Sequence, residues 1–104
     1  MNLNVIESIN TTKGTPFMTR VTLSKQLGVS PGTVDNRARE IKKEVENGRY
    51  PDNSVIEDGG LKLLNYLVFI DYINNRQKLL EPNLRKYVEP FDARKVAESI
   101  GWYN

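Results

Sequence analysis

Leu27-Gly28-Val29-Ser30-Pro31-Gly32-Thr33-Val34 is the stretch on which the reading of this chain turns. Gly28 is the residue best able to take the left-handed conformation that closes a helix, and Ser30 followed by Pro31 is a strong helix start. Serine offers its hydroxyl to an orphan N–H, and proline at the first helical position gives up an N–H that had no partner. One helix therefore ends at Leu27 and another begins after Ser30, with Gly28-Val29-Ser30 as a tight turn. Upstream, Thr19 can cap the first helix with Met18 and Leu23 in the positions of a hydrophobic staple, and Thr22 is the alternative cap. Downstream, Val34, Ala38, Ile41 and Val45 recur at spacings of four, three and four, one apolar helix face that stops at Asn47-Gly48.

Further along, residues 49–54 read as a loop. Val55-Ile56-Glu57 and Leu61-Lys62-Leu63 then flank Asp58-Gly59-Gly60, whose glycines supply the positive φ a hairpin needs. Asn65 can cap a third helix that carries Tyr66, Phe69, Ile70, Ile73, Gln77 and Leu80 along one wide face and ends near Glu81-Pro82. That face is expected to close the domain's own core. Asp92 repeats the cap logic for a short helix to Ile100, with Phe91 against Val96 as its staple. Trp102 and Tyr103 are expected to fold back on the core. Residues 1–16, with the turn formers Thr11 to Pro16, read as a loose N-terminal arm, and 17–104 as one domain. The fold expected is mainly α with a small β-hairpin: a winged helix-turn-helix with additional C-terminal helices.

A chain of 104 residues buries only about two-thirds of the surface its unfolded form exposes, which argues against a large catalytic cleft. Hydrophobic residues at 38% and charged residues at 27% suit a folded domain rather than a disordered one. With neither cysteine nor histidine, a disulfide, a zinc-thiolate site, a Cys or Ser-His nucleophile pair and a histidine base are all excluded. Acidic residues are plentiful, yet none is spaced as a metal-ligand set, Asp52, Glu57 and Asp58 coming nearest. The chain is expected to be no enzyme and to need no cofactor or metal. The first residues lack a basic region followed by an apolar run, and no stretch is long and apolar enough to span a bilayer, so a cytoplasmic address is expected and no membrane partner.

The net charge of +2 is modest, but its distribution is uneven: eight basic and five acidic residues precede Pro51, against seven and eight from there on. Two short helices around Gly-Val-Ser make the helix-turn-helix arrangement that seats its second helix in a DNA major groove. Leu23, Leu27, Val29 and Val34 are apolar where the two helices must pack, and Ser24 is small where they approach. With Val34, Ala38, Ile41 and Val45 inward, the helical wheel turns Gly32, Asn36, Arg39 and Lys43 outward, with Thr33, Arg37 and Glu40 on one flank and Asp35 and Lys42 on the other. Asn36 suits adenine and Arg39 suits guanine in bidentate readout, Thr33 can reach a base or a phosphate, and Gly32 lets the backbone approach closely. Lys25, Arg37, Lys42, Lys43 and Arg49 are the expected phosphate contacts. Asp35 and Glu40 are expected to orient the arginines. By composition alone the same charges could be a solvated face laced by pairs such as Glu40 with Lys43 and Arg39 with Glu44. The hairpin tip, Glu57-Asp58-Gly59-Gly60, is acidic with only Lys62 basic, which favours a packing role over minor-groove contact.

Phe17-Met18-Thr19-Arg20 through Leu27-Gly28-Val29-Ser30, the hairpin, and Leu63-Leu64-Asn65-Tyr66-Leu67-Val68-Phe69-Ile70-Asp71-Tyr72 resemble the small winged-helix excisionases and related regulators of temperate phages and integrative elements. The resemblance spans residues 17–80. It implies an architectural factor that binds repeated sites on double-stranded DNA, bends it, and turns an integrase toward excision. Ser30, Thr33, Asn36, Arg37 and Arg39 would then be recognition-helix contacts and Lys62 a wing contact, with an integrase and further copies of the chain as partners. A promoter-binding transcriptional regulator would use the same residues. A protein-interaction module, using the apolar helix near Ile70 and the Trp102-Tyr103 tail against an integrase or repressor, is the alternative from another class.

Overall fold

The computed structural model describes residues 15–102. Residues 1–14, most of the expected arm, and Tyr103 lie outside the described residues. The chain is mainly helical with a small antiparallel sheet: β1 (Phe17–Met18), α1 (Arg20–Leu27), α2 (Pro31–Glu46), β2 (Val55–Asp58), β3 (Leu61–Asn65), α3 (Tyr66–Leu80) and α4 (Ala93–Ser99). Short 3-10 turns at Asp52–Ser54 and Arg85–Tyr87 bridge the longer connections.

Side-chain caps start every helix. Thr19 accepts from the Thr22 N–H, Ser30 from Thr33, Asn65 from Leu67 and Val68, and Asp92 from Arg94 and Lys95. Each satisfies a donor that the first helical turn leaves without an intrahelical partner. Between α1 and α2, Gly28 takes φ 71°, and this lets the Val29 N–H reach back 3.0 Å to the Ser24 carbonyl. The closure satisfies an end-of-helix acceptor and swings the chain into Ser30-Pro31. Leu23 and Ser24 of α1 are buried where the two helices meet. Val29, expected in that seam, is instead 39% exposed, because the left-handed turn at Gly28 carries its side chain outward.

The sheet order is β1-β3-β2, with β3 central. Asp58 pairs with Leu61, so Gly59-Gly60 is a two-residue turn, and Gly59 takes the positive φ of 60° that its first position requires. β1 was not expected from the sequence. Phe17 and Met18 pair with Asn65 and Leu64, and the Tyr66 N–H donates to the Pro16 carbonyl, so Pro16, expected in the arm, is tied to the sheet.

Leu23, Val34, Ala38, Ile41, Leu64, Val68, Phe69, Tyr72 and Leu79 make the core, with Tyr50 from the loop after α2. The inward face of α2 is the one its spacing indicated, with Val45 half-buried at its end and Glu44 buried as well. α3 is rotated from expectation. Its core face runs through Val68, Phe69, Tyr72 and Leu79, while Ile73 and Leu80, expected inside, are 43% and 55% exposed. Polar anchors set that rotation: Asp71 Oδ2 accepts from Arg49 Nη2 and Tyr50 Oη, both at 2.7 Å, and Tyr72 Oη donates to Glu40 Oε1 at 2.7 Å. At the C-terminal end Phe91 meets Tyr50 edge-on at 5.2 Å between ring centres, and Trp102 folds back over Tyr66 at 5.4 Å. No helix among the described residues is long and apolar enough to cross a membrane.

A Cβ added at Gly28 meets nothing within 4 Å, so its cost is the left-handed backbone alone. Gly28→Ala is expected to lower stability by about 1–2 kcal/mol, read as a shifted urea midpoint at unchanged m-value.

Candidate nucleic-acid interface

α2 reaches the surface along one stripe. Gly32, Asn36, Arg39 and Lys43 are all exposed, opposite the buried Val34, Ala38 and Ile41. Asn36 and Arg39 touch, with an Arg39 amino group donating to the Asn36 side-chain carbonyl. Two planar hydrogen-bonding groups thus stand side by side on a helix about 10–12 Å across, which matches the width of a major groove. At the start of α2, the Ser30 hydroxyl is engaged by the Thr33 N–H at 3.1 Å and lies 3.1 Å from the Thr33 hydroxyl. The pair serves first as a cap, and Thr33 is half-buried. Lys25 on α1 is exposed near the turn.

The two flanks of this stripe differ. On the hairpin side Lys42 pairs with Glu57 of β2. Asp35 receives Arg20 Nε at 2.8 Å and lies 3.9 Å from Lys62 Nζ. Arg20 holds the Asp35 carboxyl below the usual carboxylate range, and Lys42 does the same for Glu57. Asp35 therefore orients Arg20, a residue not expected at the site.

On the α3 side the organiser is Glu40. Its Oε1 accepts from Arg76 Nε at 2.8 Å and Tyr72 Oη at 2.7 Å, and its Oε2 accepts from Arg37 at 3.1 Å and Arg76 at 3.2 Å. The bond to Arg76 does most to draw the Glu40 carboxyl from its ordinary 4.5 down to about 2. One turn on, buried Glu44 is gripped by Arg85 through two amino nitrogens at 2.6 and 3.1 Å. The surface pairs Glu40 with Lys43 and Arg39 with Glu44 do not form, because both carboxylates turn toward α3 and the residues after it.

Arg49 leaves the expected set of phosphate contacts. Its side chain is only 10% exposed, ion-paired to Asp71 at 2.7 Å and donating to the Glu89 carbonyl at 2.8 Å. Such a buried pair anchors the chain, since removing either partner strands a charge away from water. Nothing in the sequence around Arg49 separates this from a surface arginine, because its partners lie 22 and 40 positions away. Arg76 also went unnoticed. Its signal was a cation at the i+4 position from Tyr72, one turn along the same face of α3.

Among the described residues no group of three or more acidic side chains is placed to hold a metal ion. Compared with protein-family models, with curated proteins and with solved structures, the chain matches none.

Because the folded-state pKa of Glu40 is lowered, its contribution to stability is complete above about 4.5 and is lost as pH falls from there toward 2. Glu40→Gln is expected to cost about 1–2 kcal/mol near neutral pH, through weaker bonds to Arg76 and Arg37. The gap between the two proteins should narrow below about pH 4.5 in urea titrations run at a series of pH values.

Proposed function

We propose that this chain is a non-enzymatic, sequence-specific DNA-binding protein of winged helix-turn-helix build, with α2 as the recognition helix and β2-β3 as the wing. One observation carries the reading: Asn36, Arg39 and Lys43 share the exposed stripe of a helix whose opposite face is locked in the core. A rigid helix presenting an amide and a guanidinium together can read an adenine and a guanine by bidentate hydrogen bonds, with Lys43 on a phosphate. Exposed Lys25 adds a backbone contact beside it, and Gly32 lets the start of α2 approach a phosphate.

Within this class the chain acts as an excisionase-like architectural factor, filling repeated sites with several copies and bending the DNA for an integrase. The modest net charge supports that reading, because single sites held by few phosphate contacts are weak and gain from neighbours. Genomic fragments retained on the purified protein at about 0.1 M salt, where purely electrostatic binding is already weakened, test it. Repeated sites at the ends of an integrated element are the expected outcome. Enrichment at a promoter would make the chain a transcriptional regulator using the same helix. No enrichment would overturn the DNA-binding reading in favour of a protein partner on exposed Ile73, Leu80 and Tyr87.

On a retained duplex, Arg39→Ala is expected to cost about 1–3 kcal/mol and to relax sequence preference. Lys43→Ala should weaken all duplexes alike and lower the slope of log K against log salt by about one. Equal losses for Arg39→Ala on specific and random duplex, by fluorescence anisotropy, would remove Arg39 from base readout.

A further inference from the structure

A helix seated in a major groove has a phosphate strand along each flank, so what borders α2 on either side governs which strand the protein can grip. On the hairpin flank, Arg20 and Lys62 meet the Asp35 carboxylate and Lys42 meets Glu57, with Asp58 at the end of β2, three cations and three anions in all. That flank is neutral, and the exposed β2-β3 tip, with Glu57 and Asp58, is acidic. The α3 flank is the reverse. An open groove of about 380 Å³ runs between α2 and α3, lined by Arg37, Ile73, Asn74, Arg76, Gln77 and Lys78. Glu40 is the one carboxylate bonded to its arginines, against three cations. Arg37 stands about 100° around the helix from Asn36, which puts the groove on the α3 flank of the exposed stripe. Arg37 gives Glu40 a single amino group, which leaves the rest of its guanidinium for another acceptor, and Lys78 makes no ion pair among the described residues.

We infer that the groove between α2 and α3 is a second docking surface for DNA, holding one phosphate strand through Arg37 and Lys78, and that the hairpin stays clear of the minor groove. The inference rests on the DNA-binding reading above and adds to it the strand that is gripped. Charge complementarity selects this occupant: three cations against one carboxylate, with Ile73 the one apolar side chain of the lining, suit the sugar-phosphate backbone, whereas the acidic tip would meet phosphates with like charge. Arg76 acts as a positioning residue, since its bidentate hold on Glu40 keeps that carboxylate turned away from the groove mouth.

Exposed Lys78 and half-buried Lys62 are compared as alanine variants on one retained duplex across a salt series, with circular dichroism as the check on folding. A phosphate contact releases about 0.9 of a counterion, so Lys78→Ala should bind about five- to tenfold more weakly at 0.1 M salt and show a salt slope smaller by about one. Lys62→Ala should change neither quantity. An unchanged slope for Lys78→Ala overturns the inference while leaving α2 as the reading helix. A slope reduced by Lys62→Ala instead places the hairpin on the DNA, also against it. Wild-type protein that retains no duplex overturns this inference and the function it rests on together.

Discussion

The Glu40 carboxylate is the interaction on which the presentation of α2 depends. An α-helix with a single apolar stripe can rock about its axis, and the residues it shows to solvent move with it. Here one carboxylate takes hydrogen bonds from Tyr72 and Arg76 of α3 and from Arg37 of its own helix. Glu44 repeats the arrangement one turn later with Arg85. Two charge-assisted clamps on one flank hold α2 against α3, and the packing of Val34, Ala38 and Ile41 does the rest. Asn36, Arg39 and Lys43 face outward because these residues face inward.

A second knot carries the C-terminal part of the chain. Asp71 gathers Arg49 and Tyr50 from the loop after α2, and Arg49 continues to the Glu89 carbonyl ahead of α4. Burial pushes the Tyr50 hydroxyl above its usual pKa, so it remains a donor to Asp71 throughout the ordinary pH range. Phe91 packs edge-on against the same tyrosine. α2 and the scaffold that holds it are thereby joined through a few polar contacts between distant parts of the sequence. The flanks of α2 differ in charge as well, with cations and acids balanced beside the hairpin and cations in excess beside α3.

Local chemistry was well written in the sequence. Thr19, Ser30, Asn65 and Asp92 cap the helices they were expected to cap, Gly28 turns where a left-handed residue was needed, and Gly59-Gly60 makes the hairpin. The inward face of α2 was legible because its apolar residues recur at helical spacing between charged ones. α3 was not legible in the same way. Leu67, Val68, Phe69, Ile70, Ile73, Leu79 and Leu80 surround most of that helix, so periodicity leaves its rotation open, and Asp71 and Tyr72 decide it through partners 22 and 32 residues away. β1 is only two residues long and too short for alternation to mark. Among the expected contact residues the exposed stripe could be derived from spacing, whereas Arg49 could not be told apart from a surface cation. Its burial depends on tertiary neighbours alone.

The claim that the outward stripe of α2 is the surface that meets DNA is tested most directly by mapping amide shifts of isotope-labelled protein as a short duplex is added. The expected result is that the largest changes fall between Ser30 and Lys43, with Trp102 and α4 left nearly unmoved. Changes concentrated in α4 and around Trp102, with Asn36 and Arg39 unaffected, would contradict it.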